Sequence, residues 1–132
     1  MEPTIFTKII NGEIPSHKIY EDEKTFAFLD INPTQPGHTL VVPKNQTDLL
    51  DELPEEDYLA LMKTVKKLMA HLRQTLGVER TCLKLEGFDV PHAHVHLIPC
   101  NSAADFHILP SESSEPDHEF LATIAEKLAI GD

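Results

Sequence analysis

One long apolar stripe constrains the fold of this chain more than any other feature of its sequence. Between Pro54 and Gly77, apolar residues recur at spacings of three and four, which is typical of one buried face of a helix. The residues of the stripe are Tyr58, Leu61, Met62, Val65, Leu68, Met69, Leu72 and Leu76. A helix of about 22 residues spans about 33 Å, which is long enough to cover a whole sheet. We interpret the stripe as core rather than as a cofactor-binding face.

The other predicted elements are short, and 132 residues are enough for one domain with a single core. Turn residues and apolar runs predict five strands, at residues 17–20, 25–29, 38–42, 81–85 and 90–98. Helical spacing predicts a short N-terminal helix that ends at Asn11-Gly12 and a last helix around residues 120–128. We therefore expect an α+β fold, with a five-stranded antiparallel sheet and one long helix. Residues 1–100 form the expected domain core, and residues 101–132 form a C-terminal arm and helix.

The charge balance excludes two classes of partner. The chain has 11 Lys and Arg against 22 Asp and Glu, so its formal net charge is −11. Nucleic-acid coating and binding to an anionic membrane both depend on clustered Lys and Arg, so neither is expected. The apolar runs are too short for a transmembrane helix, and the N-terminus does not resemble a signal peptide. Because Cys82 and Cys100 form no CxxC pair, we expect a cytoplasmic protein with reduced thiols.

Three of the eight histidines occur within five residues, at His92, His94 and His96. On a strand these three side chains would share one face, with successive rings about 7 Å apart. The alternate apolar residues would then face the long helix. Two interpretations follow from the residues alone. The imidazoles could bind a metal, with Asp89 as the nearest carboxylate, or one of them could act as a nucleophile.

Four ordered motifs extend the pattern beyond the histidines. They are residues 4–15, residues 28–33, the Pro-Gly-His segment within residues 36–44, and the His-x-His-x-His segment within residues 92–99. Together they resemble the histidine triad family, most closely its branch of small nucleotide-binding phosphoramidases. The resemblance implies a homodimer that joins two five-stranded sheets. It also implies binding of purine nucleoside monophosphate units and cleavage at the α-phosphate.

The resemblance implies a role for each motif residue. His94 matches the nucleophile that forms a nucleotidyl-histidine intermediate, His92 and His96 match the flanking histidines, and His38 matches a histidine that steadies the triad. Asp30 matches the acidic residue that binds the ribose hydroxyls. The apolar residues that match the walls of the nucleoside site are Ile5, Phe6, Ile9, Phe28 and Ile31. The implied activity is cleavage of purine nucleoside phosphoramidates. Hydrolysis of dinucleoside polyphosphates and nucleotide binding with vestigial catalysis are the alternatives.

Two departures from the family pattern bear on metal binding and on the leaving group. Many members have a Cys-x-x-Cys pair and a histidine that hold zinc, where this chain has Thr4, Thr7 and Gln46. We therefore expect no metal and no cofactor. Before the triad, Phe88 and Asp89 replace residues that usually donate hydrogen bonds. We expect Asp89 either to deliver a proton to the leaving group or to have a structural role.

Overall fold

The computed structural model describes residues 1–110 and 115–131 and has the α+β architecture that the sequence predicts. The strands are β1 (Lys18–Glu21), β2 (Thr25–Leu29), β3 (Thr39–Pro43), β4 (Arg80–Lys84) and β5 (Val95–Cys100). The helices are α1 (Ile5–Ile10), α2 (Glu55–Leu76), α3 (Ala103–Phe106) and α4 (His118–Leu128). A single turn of 3-10 helix, Leu50–Glu52, precedes α2.

The five strands form one antiparallel sheet in the order β1-β2-β3-β5-β4. Hairpins join β1 to β2 and β2 to β3, and α2 carries the chain across to β4 at the far edge. β5 then returns between β3 and β4. This order places the end of β2, the start of β3 and the start of β5 close together on the sheet.

Helix α2 is the predicted long helix and covers one face of the sheet. It begins after Pro54, whose carbonyl accepts the amide N–H of Tyr58 at 2.9 Å. It ends at Gly77, whose φ of 67° closes the helix in the left-handed region that favours glycine. Its stripe packs against β-strand residues such as Val41 and Leu97, and α4 completes the same core. No helix within residues 1–110 and 115–131 is long and apolar enough to cross a membrane.

The opposite face of the sheet carries a second, smaller apolar cluster beneath α1. Phe6 of α1 packs against strand residues Phe26, Phe28, Leu40 and Val42. The rings of Phe6 and Phe28 meet edge to face, with centroids 5.6 Å apart. Because the long helix occupies the other face, this is the face on which a ligand could reach the histidines.

One prediction for the C-terminal half was wrong. The histidine strand begins at Val95, not at residue 90, so His92 and His94 precede β5. Pro91 has no N–H, and the amides of His92 and Ala93 bond to Val90 and Thr47 carbonyls rather than to a neighbouring strand. The expected C-terminal arm contains the four-residue α3, and residues 111–114 lie outside the described part of the chain.

Candidate active site

The histidines meet on the α1 side of the sheet. His94 lies just before β5, His96 is its second residue, and His38 immediately precedes β3. Asp30 follows β2, and its backbone N–H donates to the carbonyl of His38 at 2.9 Å. The ring centroids of His94 and His96 are 5.2 Å apart, and those of His38 and His96 are 5.1 Å apart. His38, His94 and His96 therefore form one group of rings with Asp30 at its side.

A backbone amide fixes the tautomers of His38 and His96, which we call the imidazole pair. The N–H of Thr34 can only donate, and it lies 3.1 Å from His38 Nδ1, so that nitrogen accepts. The proton of neutral His38 is then on Nε2, which donates to His96 Nδ1 at 2.9 Å. The proton of neutral His96 is consequently on Nε2. His96 thus presents an N–H donor, not a lone pair, to a ligand.

Burial keeps the imidazole pair neutral. The His38 side chain is 2% exposed and that of His96 is 15% exposed. Burial, with smaller contributions from the neighbouring imidazole and from Lys84, lowers the pKa of His38 to about 3 and that of His96 to about 4. At pH 7 only about one His96 ring in a thousand is then charged. Both rings act as neutral hydrogen-bonding groups.

His94 is held in the tautomer that a nucleophile requires. Its Nδ1–H donates to the carbonyl oxygen of His92 at 2.8 Å, so neutral His94 has its lone pair on Nε2. The ring packs edge to face against Phe6, with centroids 4.9 Å apart, and the residue is 5% exposed. The backbone turn before β5 therefore orients His94 through a carbonyl, and phenylalanine packing restrains the ring.

His92 is fully buried, and both of its ring nitrogens are used within the protein. Its Nε2–H donates to the carbonyl of Pro43 at 2.8 Å, and its Nδ1 lies 2.8 Å from Thr4 Oγ1, which donates to it. Burial also lowers the pKa of His92. Its ring is 5.7 Å from that of Phe6. His92 therefore fixes the backbone carbonyl that orients His94 and leaves no ring nitrogen for a ligand.

Thr4, Thr7 and Gln46 surround His92 and form a hydrogen-bonded group that we call the hydroxyl cluster. Gln46 Oε1 accepts from the Thr4 backbone N–H at 2.9 Å and from Thr7 Oγ1 at 2.6 Å. Thr4 Oγ1 also accepts the Thr7 N–H at 3.2 Å, which caps α1. These donors, two hydroxyls and an amide, are not the thiolates and imidazoles that zinc prefers. Zinc, which many members of the resembled family hold at these positions, therefore does not fit the side chains of this protein.

A second donor set occurs at the imidazole pair itself. Asp30, His38 and His96 have ligand atoms within 4.8 Å of one another, the one such group of three among the described residues. However, His38 Nε2 and His96 Nδ1 are the two atoms of the 2.9 Å hydrogen bond. A metal ion would have to replace that bond and move the His38 proton from Nε2 to Nδ1, to which the Thr34 N–H already donates. The geometry therefore favours the hydrogen-bonded pair over a metal centre.

Asp30 lies beside the imidazole pair but is oriented by the loop. One carboxylate oxygen accepts the Asn32 N–H at 2.9 Å, and the other lies 3.6 Å from His38 Nε2 and 4.0 Å from His96 Nδ1. Burial raises the pKa of Asp30 above its usual value, against the hydrogen bond from Asn32. The side chain is 20% exposed, so one of its edges remains open to a ligand.

The apolar residues predicted to wall the site divide into buried and exposed ones. Phe6 and Phe28 are buried in the smaller apolar cluster, and Ile9 is half-buried against it. Ile5 is 48% exposed and Ile31 is 45% exposed. Ile31 lines a cavity with Pro33 and the α4 residues Phe120 and Leu121.

Unlike Asp30, Asp89 does not lie beside the imidazole pair. It is exposed in the irregular segment between β4 and β5, next to Phe88, which is 90% exposed. Outside this face, His17, His71 and His118 each have a hydrogen-bond partner. His17 and His118 share a 2.9 Å hydrogen bond, and His71 donates to the Leu128 carbonyl at 2.8 Å.

Sequence reasoning missed one charged residue near the site. Lys84, the last residue of β4, is paired directly opposite His96 in the antiparallel register. Cross-strand partners lie on the same face of a sheet, so Lys84 borders the imidazole pair. Periodicity alone could not have located it, because the β4–β5 register is set by the chain between the strands.

Comparisons with known proteins agree with this geometry. The HIT domain family model matches residues 11–103. An uncharacterised HIT-like protein of Methanocaldococcus jannaschii is 46% identical over 100 residues, covering 72% of this chain and 77% of the relative. An adenosine 5′-monophosphoramidase of Saccharomyces cerevisiae is 35% identical over 125 residues, covering 94% of this chain and 79% of the relative.

A solved structure agrees over nearly the whole length. The Hit-like protein of Bartonella henselae superposes with a TM-score of 0.83 at 31% identity, covering 95% of this chain and 92% of that one. The matched region contains all three histidines of the triad and His38. The chain therefore belongs to the histidine triad family.

Proposed function

We propose that this protein is a nucleotide hydrolase or nucleotidyl transferase that cleaves purine nucleoside phosphoramidates at the α-phosphate, with His94 as the nucleophile. The observation that carries the proposal is the fixed tautomer of His94, whose Nε2 lone pair is available beside the Nε2–H of His96. The similarity to an adenosine 5′-monophosphoramidase supports the substrate class.

The reaction consists of two displacements at phosphorus. The Nε2 lone pair of His94 forms an N–P bond while the substrate P–N bond breaks, and the leaving nitrogen takes the electron pair and a proton. Water then attacks the nucleotidyl-histidine, its oxygen forms the new P–O bond, and the electrons of the N–P bond return to His94. One proton of that water is released. The products are a nucleoside monophosphate and an amine.

Neutral imidazoles stabilise the phosphoryl group in this mechanism. The Nε2–H of His96 donates to a phosphoryl oxygen, and His38 holds that donor in place through its own Nε2–H. Because the pKa of His96 is lowered to about 4, His96 serves as a hydrogen-bond donor at pH 7 and not as the acid. Asp89 either delivers the proton to the leaving group or has a structural role, and an Asp89→Asn variant distinguishes the two. Unchanged turnover and an unchanged pH profile would remove Asp89 from the mechanism.

The nucleoside portion would bind over the smaller apolar cluster. The base would lie between Ile5 and Ile31 above the aromatic floor of that cluster, and the open edge of Asp30 would accept the ribose hydroxyls. The exposure of both isoleucines and the 20% exposed carboxylate support this placement. No metal is required in this proposal, because the charge on phosphate is met by N–H donors.

We also propose a cytoplasmic homodimer that joins the two sheets through β4. This strand is an edge of the sheet, and its exposed Leu83 lies beside the α2 residues Met62 and Met69 around one cavity. The solution mass should be about twice the 14.8 kDa of the chain. A monomer at every concentration tested would contradict the dimer.

The activity is tested with a fluorogenic adenosine phosphoramidate and diadenosine polyphosphates, with and without chelator. We expect phosphoramidate turnover that survives the chelator and is lost in His94→Ala. His107→Ala, at an exposed histidine away from the site, is the matched control, and thermal unfolding verifies that both variants fold. Nucleoside monophosphate binding without any turnover would indicate a binding module, and preferred turnover of the polyphosphates would indicate the alternative hydrolase.

A further inference from the structure

The far side of the histidines from the nucleoside floor is formed by β4. The aromatic floor lies on α1, β2 and β3, the histidines lie at β5, and β4 is the next strand. Neighbouring strands are about 4.8 Å apart, so β4 borders the phosphate position directly. A substrate with its nucleoside over β2 and β3 and its phosphorus at His94 would extend its leaving group towards β4.

Lys84 is the cation on this side. It is the cross-strand partner of His96, so the two Cβ atoms are about 5 Å apart and the side chains share the ligand face. The residue is half-buried, and it forms neither an ion pair nor a hydrogen bond with any residue in the described ranges. Its charge interacts with that of Asp30, but the two form no ion pair, so the ammonium group can meet a ligand.

The charges of the site favour an anion next to Lys84. The imidazole pair is neutral, and Asp30 adds a negative group on the nucleoside side. The Lys84 charge contributes to the lowered pKa values of His38 and His96, which agrees with its position beside them. Among groups on the ligand face of β4, Cys82 carries no positive charge, and Arg80 lies four residues from Lys84, opposite Cys100.

We propose that Lys84 selects substrates whose leaving group carries an anion, either a carboxylate or a phosphate, by forming an ion pair with that anion. This inference rests on the proposed function, because it assigns the part of the substrate beyond the α-phosphate. It makes Lys84 a specificity-determining residue. The covalent steps are those already described and need no further reactant.

The test compares leaving groups that differ only in charge. One substrate is adenosine 5′-phosphoramidate joined to the amino nitrogen of glycine, which ends in a carboxylate, and the other is joined to glycinamide, which is neutral. Both carry the same charge at phosphorus. Their amines differ in basicity, but that difference affects every variant equally and cancels when the ratio of kcat/KM values is compared between variants.

We expect Lys84→Gln to lower kcat/KM for the glycine substrate about tenfold more than for the glycinamide substrate. Lys84→Arg should restore most of the preference, because it keeps the charge. The matched control is Lys63→Gln, which removes an exposed charge from α2 on the other face and should leave the preference as in the wild type. Diadenosine triphosphate, as a third substrate, distinguishes a phosphate-accepting site from one limited to carboxylates.

A Lys84→Gln variant that folds normally but loses kcat/KM equally for the charged and the neutral leaving group would overturn the assignment. An effect that acts through the histidines lowers kcat/KM for both substrates alike. A similar change of preference in Lys63→Gln would also overturn it, because any distant charge would then suffice. If the wild type turned over none of the substrates, the proposed function itself would fail, and the assignment with it. If the wild type is active, a failure of the Lys84 assignment can be told apart from a failure of the proposed function.

Discussion

Replacing both rings of the imidazole pair should make the stability of the protein less sensitive to mild acid. In the folded state, burial first and neighbouring positive groups second lower the pKa of His38 to about 3 and that of His96 to about 4. The ordinary value is 6.5. In the double variant His38→Gln/His96→Gln neither position titrates. The difference between the wild type and this variant therefore isolates the contribution of the pair to the pH dependence of stability.

The sign follows from proton binding. At pH 5 an unfolded chain protonates both imidazoles, whereas the folded protein keeps both neutral, so acid favours unfolding. The contribution of the pair to stability is complete above the ordinary pKa and is lost as the pH falls from about 6.5 towards about 4. Between pH 7 and pH 5 each ring accounts for about 2 kcal/mol of the free energy of unfolding, and the two together for about 4 kcal/mol.

Urea unfolding at pH 7, 6 and 5, followed by circular dichroism, measures this difference. We expect the wild type to lose about 4 kcal/mol more than the double variant over that range, whatever their difference at pH 7. His107→Gln replaces an exposed histidine and should behave as the wild type. An equal loss in the wild type and the double variant would refute a buried, neutral pair and the tautomers derived from it.

Three further substitutions test the parts that position the site. Thr4→Val removes the cap of α1 and the hydroxyl that donates to the first triad histidine, so it should lower the free energy of unfolding by about 1–3 kcal/mol in urea, whereas Thr4→Ser should restore most of it. Gly37→Ala should cost about 1–2 kcal/mol more than Gly77→Ala by the same measurement. Both glycines have positive φ, but only at Gly37 would a Cβ meet a leucine methyl of α2, at 2.5 Å, and equal costs would contradict this packing. Asp30→Asn should weaken binding of adenosine monophosphate about tenfold in calorimetry but change binding of the 2′,3′-dideoxy analogue little, and equal losses would exclude a ribose contact.

Local patterns predicted the elements that depend on burial of one face. The stripe of α2 has five consecutive turns of apolar spacing, with negative charge at its start and glycine at its end, and the structure follows it from Glu55 to Leu76. The all-buried strand β2 was likewise predicted with correct bounds. In these segments the local preference and the tertiary packing agree, so the sequence was sufficient to predict both elements.

The alternation of side chains between strand faces predicted the structure near the triad less well. The spacing of the three histidines predicts that they share one strand face, yet only His96 is in a strand. The His92 amide closes a local turn to Val90, and the His92 ring bonds to Pro43 and Thr4. Pro43 and Thr4 are distant from His92 in the chain, so the spacing of residues within 90–98 could not predict these bonds.

Roles that depend on register or on tautomer required the folded chain. The resemblance indicated His38 as a steadying residue, but the Thr34 amide that determines which nitrogen donates has no signal in the sequence. Lys84 became a candidate only when the pairing with His96 was known. Helix α3 was missed because its four residues, capped by Ser102, are too few to show a period.

The central claim is that His94 Nε2 attacks phosphorus, and trapping the covalent intermediate tests it most directly. The wild type is mixed with the adenosine phosphoramidate, denatured within the first turnover at alkaline pH, and analysed by mass spectrometry of the intact chain and its peptides. We predict an increase of one adenylyl group, carried by His94 and absent from His94→Ala. An adduct on another residue, or full turnover by folded His94→Ala, would contradict the mechanism.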